Sequence, residues 1–194
     1  SKTKPVKAVL EAYRAGQRLF GENYPQELAE KAQQLSDCQD ICWHFIGPLQ
    51  SNKTKLVAEH ACWVHSIDRL KIAQRLAEQR AAHLAKLRVL LQINISNEPT
   101  KAGILPQQLP ELAAAVAQLP QLELKGLMAI PAPGDSERAF AAMQQLSLQL
   151  QQHYPQATEL SMGMSDDWPL ALTYGATMIR LGTAIFGARD YKQE

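Results

Sequence analysis

The chain has 194 residues, 46% hydrophobic and 20% charged, the composition of one globular unit. Twenty Lys and Arg against 19 Asp and Glu leave a formal charge of +1, too weak a field to hold nucleic acid, and 6% aromatics offer few platforms for stacking bases. No apolar run reaches the roughly 18 to 20 residues of a membrane span, and residues 1–13 lack the apolar stretch of a signal peptide, so a cytoplasmic protein without a membrane partner is expected.

The chain opens at Ser1, without an initiator methionine and directly before a helical pattern, so it is expected to begin inside a longer natural sequence. Short β-type runs then alternate with helical stretches. Strands are predicted over 18–20, 43–47, 62–67, 87–95, 122–130, 159–163 and 178–187. Between the fourth and fifth, Leu109, Leu112, Ala113, Val116 and Leu119 form an apolar stripe at helical spacing. Phe140, Met143, Leu146 and Leu150 form another, which Asp135 is placed to cap. Regular alternation of this kind means parallel strands with helical crossovers, either an open doubly wound sheet or a closed barrel. In 87–95 one phase is wholly apolar, whereas the other carries Arg88, Gln92 and Asn94. That asymmetry favours an α/β fold of the (β/α)8 TIM type, whose strands aim polar groups inward near their C-terminal ends. A first strand ending at Ser1-Lys2 supplies the eighth.

Barrel sites are built at the C-terminal strand ends. Gly182-Thr183 after the last strand and Ser165 after the one before offer N–H groups and hydroxyls to a phosphate, although the same residues serve plain turns. Arg180 lies on an inward phase and keeps its charge, so it needs either an internal carboxylate such as Glu159 or an acceptor on a ligand. Lys2, taken alone, reads as a solvated lysine. Cys38, Cys42, His44, Cys62 and His65 lie close in sequence but without zinc-knuckle spacing, and Cys62 and His65 are expected on opposite faces of one strand. They are read as reduced thiols and core or loop residues, with no metal assigned. Asp166-Asp167 suit the first turn of a helix. No Walker A loop, zinc-protease helix, dinucleotide glycine fingerprint or nucleophile elbow occurs.

Six segments together point further: Ser-Lys-Thr-Lys-Pro at 1–5, Phe-Gly-Glu-Asn-Tyr at 20–24, Trp-His-Phe-Ile-Gly-Pro-Leu-Gln-Ser-Asn-Lys at 43–53, Gly-Leu-Met-Ala-Ile at 126–130, Ser-Met-Gly-Met-Ser-Asp-Asp at 161–167 and Arg-Leu-Gly-Thr-Ala-Ile-Phe-Gly at 180–187. In this order they resemble the pyridoxal-phosphate homeostasis proteins, whose fold is like the N-terminal barrel domain of alanine racemase. The resemblance implies a single domain over 1–194 that binds pyridoxal 5'-phosphate (PLP) as a Schiff base on Lys2. It implies that Ser165, Gly182 and Thr183 hold the phosphate, that Arg180 approaches the pyridine nitrogen and that Asn23 lines the pocket. It assigns no catalytic residue and no metal.

The same resemblance implies a role in intracellular PLP homeostasis without strong catalysis, since a guanidinium leaves the ring nitrogen unprotonated and weakens the electron sink. Expected partners are PLP and, transiently, PLP-dependent apoenzymes, and a monomer is expected. Lys4, Lys53 and Lys101 are either aids to transfer or ordinary surface lysines. The family has a helix and most of a strand ahead of Ser1, so this N-terminally truncated chain is expected to leave barrel edges unpaired, to give Lys2 no rigid anchor, and to bind the cofactor weakly or fold poorly by itself. A weak PLP-dependent amino-acid racemase and a phosphate-ligand barrel that forms no Schiff base are the alternatives.

Overall fold

A computed structural model describes residues 1–188. The chain runs α1 (Val6–Arg14), β1 (Leu19–Glu22), α2 (Pro25–Gln34), β2 (Cys42–Phe45), α3 (Thr54–His60), β3 (Trp63–Ile67), α4 (Leu70–Gln79) and β4 (Leu87–Ile93). It continues through α5 (Leu109–Ala117), β5 (Leu122–Ala129), α6 (Ser136–His153), β6 (Glu159–Ser161), α7 (Trp168–Thr173) and α8 (Thr183–Phe186). The strands pair in chain order and all in parallel.

The two phases of β4 explain how the layers divide. Leu87, Val89, Leu91 and Ile93 are buried in a core shared with the helix residues Leu76, Val116 and Phe140. Leu90, on the opposite phase, packs with Trp63 and Met128 in a separate small cluster. One face of the sheet is therefore covered by helices, and the other has only a short apolar floor. That second face is concave. Flat strands at about 4.8 Å spacing would put β3 and β6 about 14 Å apart, yet His65 Nδ1 on β3 lies 2.8 Å from Ser161 Oγ on β6. The sheet curls into a half-barrel whose concave face carries polar side chains.

The strand predicted over 178–187 is not formed as such. Met178 makes a single parallel bridge to Ser161, and Thr183–Phe186 is a helical turn. The reason lies next door: Gly163, at φ 95°, turns the chain away after β6, so the neighbour has only three residues to offer a ladder. Arg180 N still reaches Gly163 O at 2.9 Å. Asp135 stands at the N-cap position of α6 but does not cap it, because its carboxylate is engaged by Ser96 and Arg138. All three cysteines are free thiols.

Gly126 marks the tightest contact in the sheet. It sits at φ 148°, and a Cβ there would lie 1.8 Å from Glu159 O on the paired strand. Gly126→Ala is expected to destabilise the fold by about 3 kcal/mol or more, lowering Tm by roughly 10 °C. Gly134→Ala is the control, since Gly134 has φ 79° but open space around it, and only conformational strain of about 1 kcal/mol is expected. Thermal melts of the two variants separate clash from strain.

Candidate functional site

The concave face opens into a cavity of about 640 Å³ lined by Lys2, Lys4, Asn23, His44, Ile46, His65, Ile130, Met164, Arg180, Gly182 and Thr183, among others. Its walls come from β1 to β3, from the segment ahead of α1 and from the segment between α7 and α8. Residues far apart in the chain thus converge on one space.

The segment bearing Lys2 is anchored by a buried ion cluster. Lys31 on α2 is 3% exposed and Glu22 at the end of β1 is fully buried. Lys31 Nζ donates to Glu22 Oε1 at 2.8 Å, to Glu27 Oε1 at 2.7 Å and to the Ser1 carbonyl at 2.7 Å. The Ser1 hydroxyl donates to Glu22 Oε1, the Ser1 nitrogen to Gly21 O at 2.8 Å, and Thr3 N–H to Glu27 Oε1 at 2.7 Å. These bonds hold Thr3 at φ 61°, a region that costs a β-branched residue energy. Lys2 is thereby presented to the cavity, its Nζ 5.4 Å from the centroid of the Tyr24 ring. This corrects the expectation that Lys2 has no rigid anchor: Lys31, Glu22 and Glu27 supply one. Asn23 is placed by a close approach, since a Cβ on Gly47 would stand 2.2 Å from Asn23 O.

Arg180 enters from the opposite wall. Its Nη1 donates to Ser161 Oγ at 2.7 Å and its Nη2 to Ala129 O at 3.0 Å. The ion pair with Glu159 does not form, because Glu159 accepts from Thr177 Oγ1 at 2.7 Å. Burial lowers the Arg180 pKa to about 10, partly offset by the Asp167 carboxylate, and the group stays charged at neutral pH. Behind it, His65 contacts Ser161 and also His44, whose Nδ1 lies 2.8 Å from His65 Nε2. His44 stacks on Trp63 with centroids 5.5 Å apart. Burial, reinforced by Arg88, pushes the His44 pKa down to about 4; burial, His44 and Arg180 push His65 well below the usual imidazole range. Both imidazoles are neutral at pH 7.

Of the residues singled out in the sequence, Lys2, Asn23, Arg180, Gly182 and Thr183 share the cavity, whereas Ser165 is exposed and does not line it; its neighbour Met164 does. The N–H groups of Gly182, Thr183 and Ala184 have no acceptor among the described residues. Lys4 donates to Ala188 O at 2.7 Å, and Lys101 to Pro131 O at 3.4 Å. The sequence reading of His44 and His65 as core or loop residues does not show that they meet, and it leaves the Lys31 cluster unread. Strand phase was the available signal for His44 and His65, which alternate with Cys42 and Trp63 on one face.

As chemistry, the cavity offers a primary amine, a permanent guanidinium opposite it, and a hydroxyl with open N–H groups at Gly182–Ala184. An aldehyde, a ring acceptor and a phosphate are the groups that such donors fit, so the residues present suit PLP.

Two consequences are measurable. Lys31→Met strands Glu22 as a buried, unpaired charge and is expected to cost about 3–5 kcal/mol in denaturant unfolding, with loss of amide-exchange protection at Thr3. For His44, the folded pKa of about 4 lies below the free value of 6.5. The unfolded chain therefore binds the proton first, and stability is full above pH 6.5 and falls as pH drops towards 4. His44→Gln is expected to flatten that slope in urea midpoints measured against pH.

Residues 3–190 match the family described as alanine racemase, N-terminal domain. The pyridoxal phosphate homeostasis protein of Escherichia coli K12 is 56% identical over 201 residues, covering 100% of this chain and 86% of the relative. Among solved structures, PipY of Synechococcus elongatus with PLP bound has a TM-score of 0.87 at 41% identity, covering 96% of this chain and 91% of PipY. Alanine racemase from Corynebacterium glutamicum has a TM-score of 0.71 at 18% identity, covering 97% of this chain and 53% of the racemase, and shows the shared barrel fold alone. The chain belongs to the alanine racemase N-terminal domain family and, within it, to the pyridoxal phosphate homeostasis proteins.

Proposed function

We propose that this protein binds PLP and serves intracellular PLP homeostasis as a carrier rather than as a catalyst. The observation that carries the reading is the convergence of Lys2, Arg180 and Thr183 on one cavity, in a chain 41% identical to PipY, whose structure has PLP bound. When bound, PLP supplies an aldehyde that condenses with a primary amine with loss of water. Lys2 Nζ is the amine that holds it. Thr183 and the N–H groups at Gly182 hold the phosphate, with Ser165 at its rim, and Asn23 lines the ring pocket. Arg180 donates to the ring nitrogen.

The carrier reading follows from what the other side chains do. A guanidinium has no lone pair to accept a proton and does not lose one near neutrality, so it leaves the ring nitrogen it meets unprotonated. Among the described residues lining the cavity there is no carboxylate, and the two imidazoles are engaged with each other, His65 also with Ser161 and His44 with Cys42. Among the described residues that line the cavity, no carboxylate and no uncommitted imidazole stands ready to move a substrate proton. Residues 1–194 act as one PLP-binding unit, a cytoplasmic monomer that needs no second chain to complete its donor set and that passes PLP to apoenzymes in transient encounters. The described residues contain no helix long and apolar enough to cross a membrane.

Adding PLP to the full chain is expected to produce a visible absorbance band, and borohydride reduction followed by peptide mapping is expected to find the label on Lys2. Lys2→Ala removes the label and weakens PLP binding by about 100-fold. Unchanged binding by Lys2→Ala points instead to a phosphate-ligand barrel. Loss of optical activity from L-alanine incubated with the loaded protein points to a racemase.

A further inference from the structure

The interior of the half-barrel holds an unbroken line of polar contacts behind Arg180. Arg180 Nη1 meets Ser161 Oγ at 2.7 Å, Ser161 Oγ meets His65 Nδ1 at 2.8 Å, His65 Nε2 meets His44 Nδ1 at 2.8 Å, and His44 Nε2 meets Cys42 Sγ at 3.5 Å. Ser161, His65 and His44 are buried. The line crosses the concave face from β6 through β3 to β2.

The protons on this line can be ordered from its charged end. Arg180 only donates, so the Ser161 oxygen accepts from it. The one Ser161 proton then goes to His65 Nδ1. A neutral His65 carries its single proton on Nε2 and donates it to His44 Nδ1, which leaves the His44 proton on Nε2, facing Cys42. In the reverse order, with His44 Nδ1–H donating to His65 and His65 Nδ1–H to Ser161, the Ser161 proton has no acceptor among the described residues, a costly state for a buried hydroxyl. The cation thus polarises the whole line in one direction.

We propose that His65, backed by His44, is a positioning residue for Arg180: by accepting the hydrogen bond of the Ser161 hydroxyl it turns the Ser161 proton away from Arg180 and leaves an oxygen lone pair to pin the guanidinium. Ser161 and Ala129 O use two of the five guanidinium N–H donors, and the rest are left for the cavity. A guanidinium held in this way selects a ligand ring that presents an unprotonated nitrogen. This rests on the reading that Arg180 meets the ring nitrogen of PLP.

The test has two arms on the full chain. In the PLP-free protein, 15N spectra of the imidazoles are expected to show His44 and His65 both as Nε2–H tautomers, and Arg180→Met is expected to release that order, with an Nδ1–H population appearing. In the PLP-loaded protein, His65→Leu is expected to weaken PLP binding by about tenfold and to change the pH dependence of the visible band, because a loosened Arg180 lets the ring nitrogen take a proton. His65→Gln, whose carboxamide oxygen accepts the Ser161 proton, is expected to restore both to within about twofold. Should His65→Leu fail to fold, Ser161→Ala removes the same link and carries the same expectation. An Nδ1–H tautomer at His65 in the parent protein overturns the proposal, as does identical behaviour of the Leu, Gln and parent proteins. If Lys2→Ala leaves PLP binding intact while the tautomers are as stated, the carrier reading fails and the proton order stands.

Discussion

A guanidinium that keeps its proton has to be satisfied inside a curled sheet, and much of the concave face is arranged around that charge. Arg180 finds Ser161 and the Ala129 carbonyl on the two strands beside it. Ser161 in turn engages His65 on a strand three places away. Hydrogen bonds across such a span require curvature, so the polar line and the half-barrel shape depend on each other. Imidazoles that titrate near neutrality in water are kept neutral here by burial and by the nearby arginines.

A second buried charge does the equivalent work at the opposite wall. Lys31 lies between Glu22 and Glu27 and reaches the carbonyl of Ser1. Pairing of this kind yields little net stability, because desolvation offsets most of the attraction. What it supplies is location. Residues 1–3 run against the end of β1 in a strained conformation, and the lysine between them faces the cavity. The cavity therefore has a cation fixed on one side and an amine fixed on the other, with the donors of the Gly182 turn beside them.

These arrangements suit holding a ligand better than transforming it. Rate enhancement needs a group whose proton affinity matches the task and which stands free to use it. Here the imidazoles and carboxylates near the cavity are committed to structure among the described residues: the histidines to each other, His65 to Ser161, Glu22 to Lys31, Asp167 to Ser136 Oγ and Met164 N–H.

Local pattern alone was enough to read the alternation of strands and helices, the buried phase of β4 and the inward aim of Arg180, because each depends on residues adjacent in the chain. Motifs at the strand ends were enough to place Lys2, Asn23, Ser165, Arg180, Gly182 and Thr183 in one family's pattern, although Ser165 does not line the cavity. Tertiary structure decided the rest. Met178 to Gly187 has the composition of a strand, but a strand exists only with a partner of matching length, and β6 is too short to be one. From the sequence alone Glu159 is as good a partner for Arg180 as an acceptor on a ligand, but the segment after α7 sets Thr177 against its carboxylate. His44 and His65 are 21 positions apart, and Lys31 and Ser1 are 30. Nothing local announces contacts at such separations, since they arise when the crossovers bring parallel strands side by side and the sheet curls to bring its concave side chains within reach of one another.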